Sequence, residues 1–255
     1  MKTIFMAIIC IFTLFFINNL SFSANQVIPS NVDPELSTQI RILANADPVE
    51  RARAASKLGS MREKAKPAVP FLLNLLNDES DVYYQPINVQ TTVAAIVIYA
   101  LHDIGDPQSI VPMIESVRRH CYLVSAVSHA LYEMWSKVDS KIVPQYLSDS
   151  SPCIRGMFVW LLGEKGDVSA LHLLQELLRD RDQDNSGQEL RIMAAQAITN
   201  IINRLKKRQL DSKAKGKLLE LIKPIEKLFD KESSASPFRQ NLQQILHDID
   251  KFVAK

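Results

Sequence analysis

The apolar residues of this chain recur at the spacing of amphipathic helices. Five segments place them three, four and seven residues apart, the pattern that puts side chains on one face of an α-helix. Because the segments repeat every 30 to 43 residues, they predict a solenoid, in which each unit buries its apolar face against the next. Their anchor residues are Leu58, Leu101, Leu131, Leu162 and Ile198.

Val-Pro pairs recur between these segments, at Val69-Pro70, Val111-Pro112 and Val143-Pro144. Proline disrupts a helix interior, but it fits the first turn, where its missing N–H has no partner to lose and its fixed φ is helical. Each pair therefore predicts the start of a second helix, and each unit is expected to be a pair of helices.

The repeat resembles the HEAT family, and its short spacing resembles the bacterial HEAT-like repeats of the phycobilin-lyase (PBS-lyase) type. The resemblance covers residues 45–205 and implies an all-α fold, an α-solenoid of about five antiparallel helix pairs in a right-handed superhelix. It implies little about activity. The residues that carry it are Asp47-Pro48, Arg51, Ala54-Ala55, Leu58-Gly59 and Val69-Pro70, followed by Arg155, Leu162-Gly163 and Asp167.

The N-terminus differs from the repeats. Lys2 precedes an apolar run from Ile4 to Ile17, and the small residues Ser21 and Ser23 follow it. The run is shorter than the roughly 20 residues that cross a membrane as a helix, and the pattern is typical of a secretory signal. An uncleaved membrane anchor is the alternative. We expect a signal peptide at residues 1–23, a flexible leader at 24–33, the solenoid at 34–205 and capping helices at 206–255, hence a secreted or periplasmic protein.

One segment is ambiguous between helix and strand. The residues from Ile87 to Leu101, INVQTTVAAIVIYAL, are rich in β-branched side chains, which favour strands. We expect a helix throughout, because the repeat pattern extends through this segment and an isolated strand would have no sheet to join.

Charge and motifs argue against several functions. The 30 basic and 28 acidic residues nearly cancel, whereas a nucleic-acid-binding protein usually carries a basic excess or stripe. Zinc-binding helices, Cys-x-x-Cys pairs, phosphate-binding glycine loops and nucleophile-elbow motifs are absent from the sequence. We therefore predict no catalytic residue, no metal, no cofactor and no nucleic-acid partner.

Three aspartates, Asp180, Asp182 and Asp184, alternate as they do in a calcium loop. Asn185 stands where such a loop needs glycine, and Arg191 stands where it needs a bidentate glutamate. We interpret the segment as a polar loop between repeats.

Two cysteines, Cys121 and Cys153, remain once the predicted signal with Cys10 is removed. They precede the anchors Leu131 and Leu162 by similar distances, so they are expected at the starts of neighbouring helices. Adjacent helix axes lie 8–10 Å apart, farther than the about 7 Å that a disulfide spans between Cα atoms. We expect two buried free thiols, with a disulfide as the alternative.

The leading functional hypothesis is an exported, non-enzymatic scaffold of the bacterial cell envelope that binds a protein or peptide. The resemblance implies that second helices line the concave surface, where partners dock. Tyr83 and Tyr84 lie in the longest insertion and form either a binding lip or a cover for the core. The predicted partner-binding residues are Asn74, Asn77, Tyr83, Tyr84, Glu115, Arg118, Arg119, Gln175, Glu176 and Arg179.

The rival hypothesis uses the basic segment Arg204–Lys217, which has seven basic residues and one acidic residue. Such a segment could hold an anionic polymer or lipid of the envelope. Apart from the signal peptide, this weak basic contact is the only membrane interaction expected.

Overall fold

Helices dominate the computed structural model, which describes residues 28–84, 88–206 and 212–253. The predicted signal peptide and the first residues of the leader lie outside these ranges. The first helices are α1 (Pro34–Ile42), α2 (Pro48–Ser60), α3 (Val69–Leu73), α4 (Val93–Ile104), α5 (Ile110–Arg119) and α6 (Val124–Glu133). The others are α7 (Val143–Leu147), α8 (Pro152–Lys165), α9 (Leu171–Leu177), α10 (Leu190–Leu205), α11 (Ser212–Glu220), α12 (Ile222–Lys231) and α13 (Pro237–Val253).

The chain divides into two units between Ala100 and Leu101. In the first unit, α1 packs on α2, and α2 packs on the 3-10 helix Arg62–Ala68 that leads into α3. In the second unit, α6 packs on α8, α8 on α10, and α10 on α13. Helices α5, α7 and α9 pack beside this row. Successive helix pairs are thus stacked, and the predicted all-α solenoid is confirmed.

The Val-Pro pairs open second helices, as predicted. Pro70 and Pro144 lie in the first turns of α3 and α7, and Pro112 is the third residue of α5. The sequence did not reveal how short these helices are. Both α3 and α7 have 5 residues, and 3-10 segments precede them. The chain therefore enters each second helix through a tighter turn.

The prediction of helix from Ile87 to Leu101 is wrong in part. Strand β2 (Val89–Thr92) pairs antiparallel with β1 (Asp81–Tyr84), and α4 begins only at Val93. The backbone N–H of Val93 donates to the Ser80 carbonyl over 3.1 Å, which joins the start of α4 to the residue before β1. The partner strand that the prediction lacked lies in the preceding insertion.

The arginines of the repeat pattern lie on first helices and bind aspartates that follow the second helices. Arg51 of α2 donates from Nε to Asp78 over 2.7 Å, and Arg155 of α8 donates from Nε to Asp180 over 2.8 Å. A second guanidinium nitrogen of Arg155 donates to Asp182, so two aspartates of the calcium-like loop bind a guanidinium. The loop is a structural part of the repeat, as interpreted from the sequence.

None of the helices in the described ranges combines the length and the apolarity that a membrane crossing requires.

Candidate functional site

A cleft of about 410 Å³ lies between α2 and β1 in the first unit. The helix contributes residues three and four apart, which is one face of α2. Strand β1 forms the opposite side, and Ile96 of α4 completes the lining. The lining residues are Val49, Ala52, Arg53, Ser56, Lys57, Ser60, Val82, Tyr83, Tyr84 and Ile96.

The hairpin is held against α2 by one apolar and one polar contact. Val82 is buried, and the Tyr84 hydroxyl lies 2.8 Å from the Ser56 hydroxyl in a hydrogen bond. Tyr83, between them, is 54% exposed. The two alternatives for this insertion therefore apply to different residues: Val82 and Tyr84 cover α2, while Tyr83 forms a lip at the mouth of the cleft.

The cleft combines an apolar floor with a basic rim. Ala52, Val82 and Ile96 are almost fully buried, whereas Arg53 and Lys57 keep 68% and 51% of their side chains exposed. None of the described residues that line the cleft is acidic. Arg53 pairs with Glu50 on the same helix, and Lys57 pairs with Glu35 on α1. Exposed ion pairs of this kind stabilise a protein by less than about 1 kcal/mol.

The predicted residues on second helices do not line this cleft. Asn74 and Asn77 lie in the turn after α3, because that helix ends at Leu73, and both are exposed. Gln175 and Glu176 lie on α9, and Arg179 lies just beyond its end.

Arg118 of α5 is engaged within the second unit. Two of its guanidinium nitrogens donate to the Asp149 carboxylate over 2.7 and 2.6 Å, and its Nε donates to Glu115 over 2.8 Å. The hydrogen bonds that Arg118 donates to the carboxylates of Glu115 and Asp149 raise the pKa of its guanidinium above the ordinary value. Arg119, the last residue of α5, is exposed. Glu115 and Arg118 are therefore placed to stabilise the repeat, and their proposed role toward a partner stays a prediction.

The expectation of two free thiols is wrong, since Cys121 and Cys153 form a disulfide with Cα atoms 6.1 Å apart. Cys121 lies in the turn before α6 and Cys153 is the second residue of α8. These loop ends approach more closely than helix axes do. The Arg118–Asp149 ion pair joins the end of α5 to the loop before α8, close in sequence to both cysteines.

Sequence reasoning missed the α2 side of the cleft. Arg53, Ser56 and Lys57 appear as ordinary polar positions of an amphipathic helix, and nothing in their spacing indicates a wall opposite them. The available signal was the hairpin: DVYY and VQTT are two runs of strand-forming residues separated by QPIN, four residues that include a proline and an asparagine.

No protein-family model matches the sequence, and no curated protein is similar to it at a significant level. Solved structures of helical-repeat proteins are similar in architecture. The complex of CpcE and CpcF of phycocyanin lyase from Nostoc sp. PCC7120 aligns with 17% identity and a TM-score of 0.42, over 89% of this chain and 100% of that chain. A designed armadillo repeat protein in complex with the peptide (KR)4 aligns with 19% identity and a TM-score of 0.45, over 84% and 99%.

Computationally designed armadillo repeat proteins for modular peptide recognition align with 19% identity and a TM-score of 0.44, over 84% of this chain and 99% of that chain. At these values the assignment of fold rests on the helix packing within this chain. The helix packing defines the class of protein as an all-α solenoid of stacked helix pairs.

Proposed function

We propose that this protein is a non-enzymatic binding protein of the bacterial cell envelope, and that it holds a peptide or a segment of another protein in the cleft between α2 and β1. The observation that carries the proposal is the cleft itself. Its floor is apolar, a few hydroxyl and cationic groups surround it, and Tyr83 is exposed at its mouth. Binding sites commonly combine these features, and tyrosine contributes contact area at small entropic cost.

Two features support an oxidising compartment. The first is the predicted signal peptide at residues 1–23. The second is the Cys121–Cys153 disulfide, because disulfides persist in secreted and periplasmic proteins and are rare in the cytosol. A fusion of residues 1–30 to a reporter that is active only outside the cytosol tests export. An inactive fusion contradicts it.

Site-specific photo-crosslinking in cells tests binding at the cleft. A photoreactive amino acid replaces Tyr83 in one variant and Tyr122 in a matched control, since Tyr122 is also about half exposed but lies in the second unit. We expect a discrete protein adduct from position 83 and none of that mass from position 122. Equal adducts at both positions, or none, contradict the proposal.

The basic segment receives less support from its described residues. Two guanidinium nitrogens of Arg204 donate to the Gly163 and Gly166 carbonyls, where they cap the end of α8. The Lys206 ammonium donates to Asp248 over 2.6 Å. Binding of an anionic polymer through this segment stays a prediction, and loss of polymer binding between low and physiological salt is its test.

A further inference from the structure

The hairpin presents a strand edge. Within the described residues, β1 pairs with β2 and with no other strand. In a two-stranded sheet the outer edge of each strand carries backbone N–H and C=O groups that no neighbouring strand satisfies, and such an edge is a template for pairing with another extended chain.

The lining of the cleft includes β1 but not β2. Three consecutive residues of β1, Val82, Tyr83 and Tyr84, line the cleft. Consecutive strand residues point to opposite faces of a sheet. A cleft that contacts both faces of β1 and avoids β2 therefore opens at the edge that β2 leaves free.

The surroundings of that edge select side chains as well as backbone. A strand added beside β1 would direct every second side chain toward α2, where Ala52, Val82 and Ile96 form the apolar floor. The remaining side chains would lie near the rim, where Arg53 and Lys57 present cations. A guanidinium has five N–H donors and an ammonium three, so one ion pair on each leaves donors for a ligand.

We propose that the ligand of this cleft is an extended peptide segment that pairs with the outer edge of β1, with apolar side chains on the cleft floor and carboxylates at Arg53 and Lys57. This inference rests on the proposed function and names its ligand. An anionic lipid shares the apolar and acidic chemistry but has no backbone to pair with a strand edge, so the edge favours a peptide.

Fluorescence anisotropy with labelled synthetic peptides tests the charge. The probes alternate valine with glutamate, with glutamine or with lysine, and they are titrated with the purified protein in its disulfide-bonded form. We expect the glutamate peptide to bind tightest. Lys57→Gln should weaken it about fivefold and leave the glutamine peptide unchanged. Lys64→Gln, an exposed lysine outside the cleft, is the matched control and should change neither.

N-methylation of the peptide backbone tests the pairing. Methyl groups on the amides of one alternate set should weaken binding about fivefold per hydrogen bond, and methyl groups on the other set should have no effect. Equal tolerance of methyl groups on both sets of amides overturns strand pairing. Displacement of the peptide by dodecanoate at similar concentration also overturns it and favours a lipid as the ligand. If position 83 crosslinks a protein but none of the peptides binds, the inference fails while the proposed function stands. If position 83 crosslinks no protein and none of the peptides binds, the inference and the proposed function both fail.

Discussion

Gly163 shows how one residue sets the distance between two helices. A Cβ atom at this position of α8 would lie 3.0 Å from the Cβ of Ala197 on α10. Because both helices are buried along this face, neither side chain has room to move aside. We expect Gly163→Ala to lower the free energy of unfolding by about 1–2 kcal/mol, measured by urea denaturation.

Gly216 is the matched control for this substitution. It lies within α11, and a Cβ atom there would meet nothing within 4 Å. Alanine has a higher helix propensity than glycine, so Gly216→Ala should raise the free energy of unfolding by about 0.5–1 kcal/mol. A similar loss of stability from both substitutions would contradict the close approach of α8 and α10.

The repeat arginines mark the limit of prediction at the level of single residues. Arg51, Arg155 and Arg191 recur visibly in the sequence, but their acidic partners do not. Asp78 lies 27 residues after its arginine, and Asp180 lies 25 residues after its own. Arg191 donates to Glu232, which lies 41 residues later, and also to the nearby Glu189. Each arginine reaches an acidic residue beyond a second helix of variable length. The separation in sequence therefore differs from one repeat to the next, and no constant spacing identifies the partner.

At the scale of elements, α3 should tolerate substitution of its first-turn proline but not of the leucine that it buries in the core. Pro70 lies in the first turn of α3, so Pro70→Ala should change stability by less than about 1 kcal/mol. Leu72 is fully buried, and Leu72→Asp places a charge in the core, which should cost about 4 kcal/mol or more. Thermal unfolding followed by circular dichroism measures both.

Leu73 is an internal comparison for the same helix. It is only half-buried, whereas Leu72 is fully buried. Leu73→Asp should therefore destabilise the protein less than Leu72→Asp does. The reverse order would mean that α3 presents a different face to the core.

The disulfide should stabilise the second unit measurably. It connects residues 32 apart in sequence, and the restriction of the unfolded chain predicts about 3–4 kcal/mol for a loop of this size. We expect reduction to lower the melting temperature by several degrees. A variant with both cysteines replaced by serine should melt near the reduced protein and be insensitive to reductant. Alkylation of both thiols without prior reduction would contradict the disulfide.

The hairpin shows why prediction fails at particular elements. Residues 93–104 are helical and residues 89–92 are not, although both carry β-branched side chains. Intrinsic propensity does not decide between helix and strand for such a segment, because a strand forms only where a second strand pairs with it. The partner, β1, lies in an insertion that interrupts the repeat, so the periodicity that predicts the helices correctly gives no information about it.

At the scale of the whole molecule, stability should fall in acid. Burial disfavours the charged forms of Asp78, Glu232 and Asp248, but hydrogen bonds and nearby cations outweigh it, and the pKa of each lies below its ordinary value. Hydrogen bonds from Ser169 likewise lower the pKa of Asp167.

The unfolded chain therefore binds more protons than the folded chain in acid. The stabilisation is present above the unfolded pKa values and is lost as pH falls through the lower folded values, that is, below about pH 4. Melting temperatures measured from neutral pH downward should decline in this window. Asp78→Asn should lower stability at neutral pH and make the decline shallower.

Most of the fold was accessible from the sequence, because repetition reinforces a weak local signal. The helix pairs, their proline starts and the all-α class follow from the interval between apolar segments. The candidate cleft was accessible only in part. Tyr83 was identified because it is a large side chain in an insertion, whereas Arg53 and Lys57 gain their place only when the hairpin folds across α2.

The Cys121–Cys153 bond also determines how the chain behaves under tension. Because the two Cα atoms stay 6.1 Å apart, the residues between them cannot lengthen when the ends of the protein are pulled. A fully extended chain spans about 3.3–3.6 Å per residue, so without the disulfide this segment could extend by roughly 100 Å. If the protein were pulled from both ends, this segment would act as an inextensible link until a reductant cleaved the disulfide.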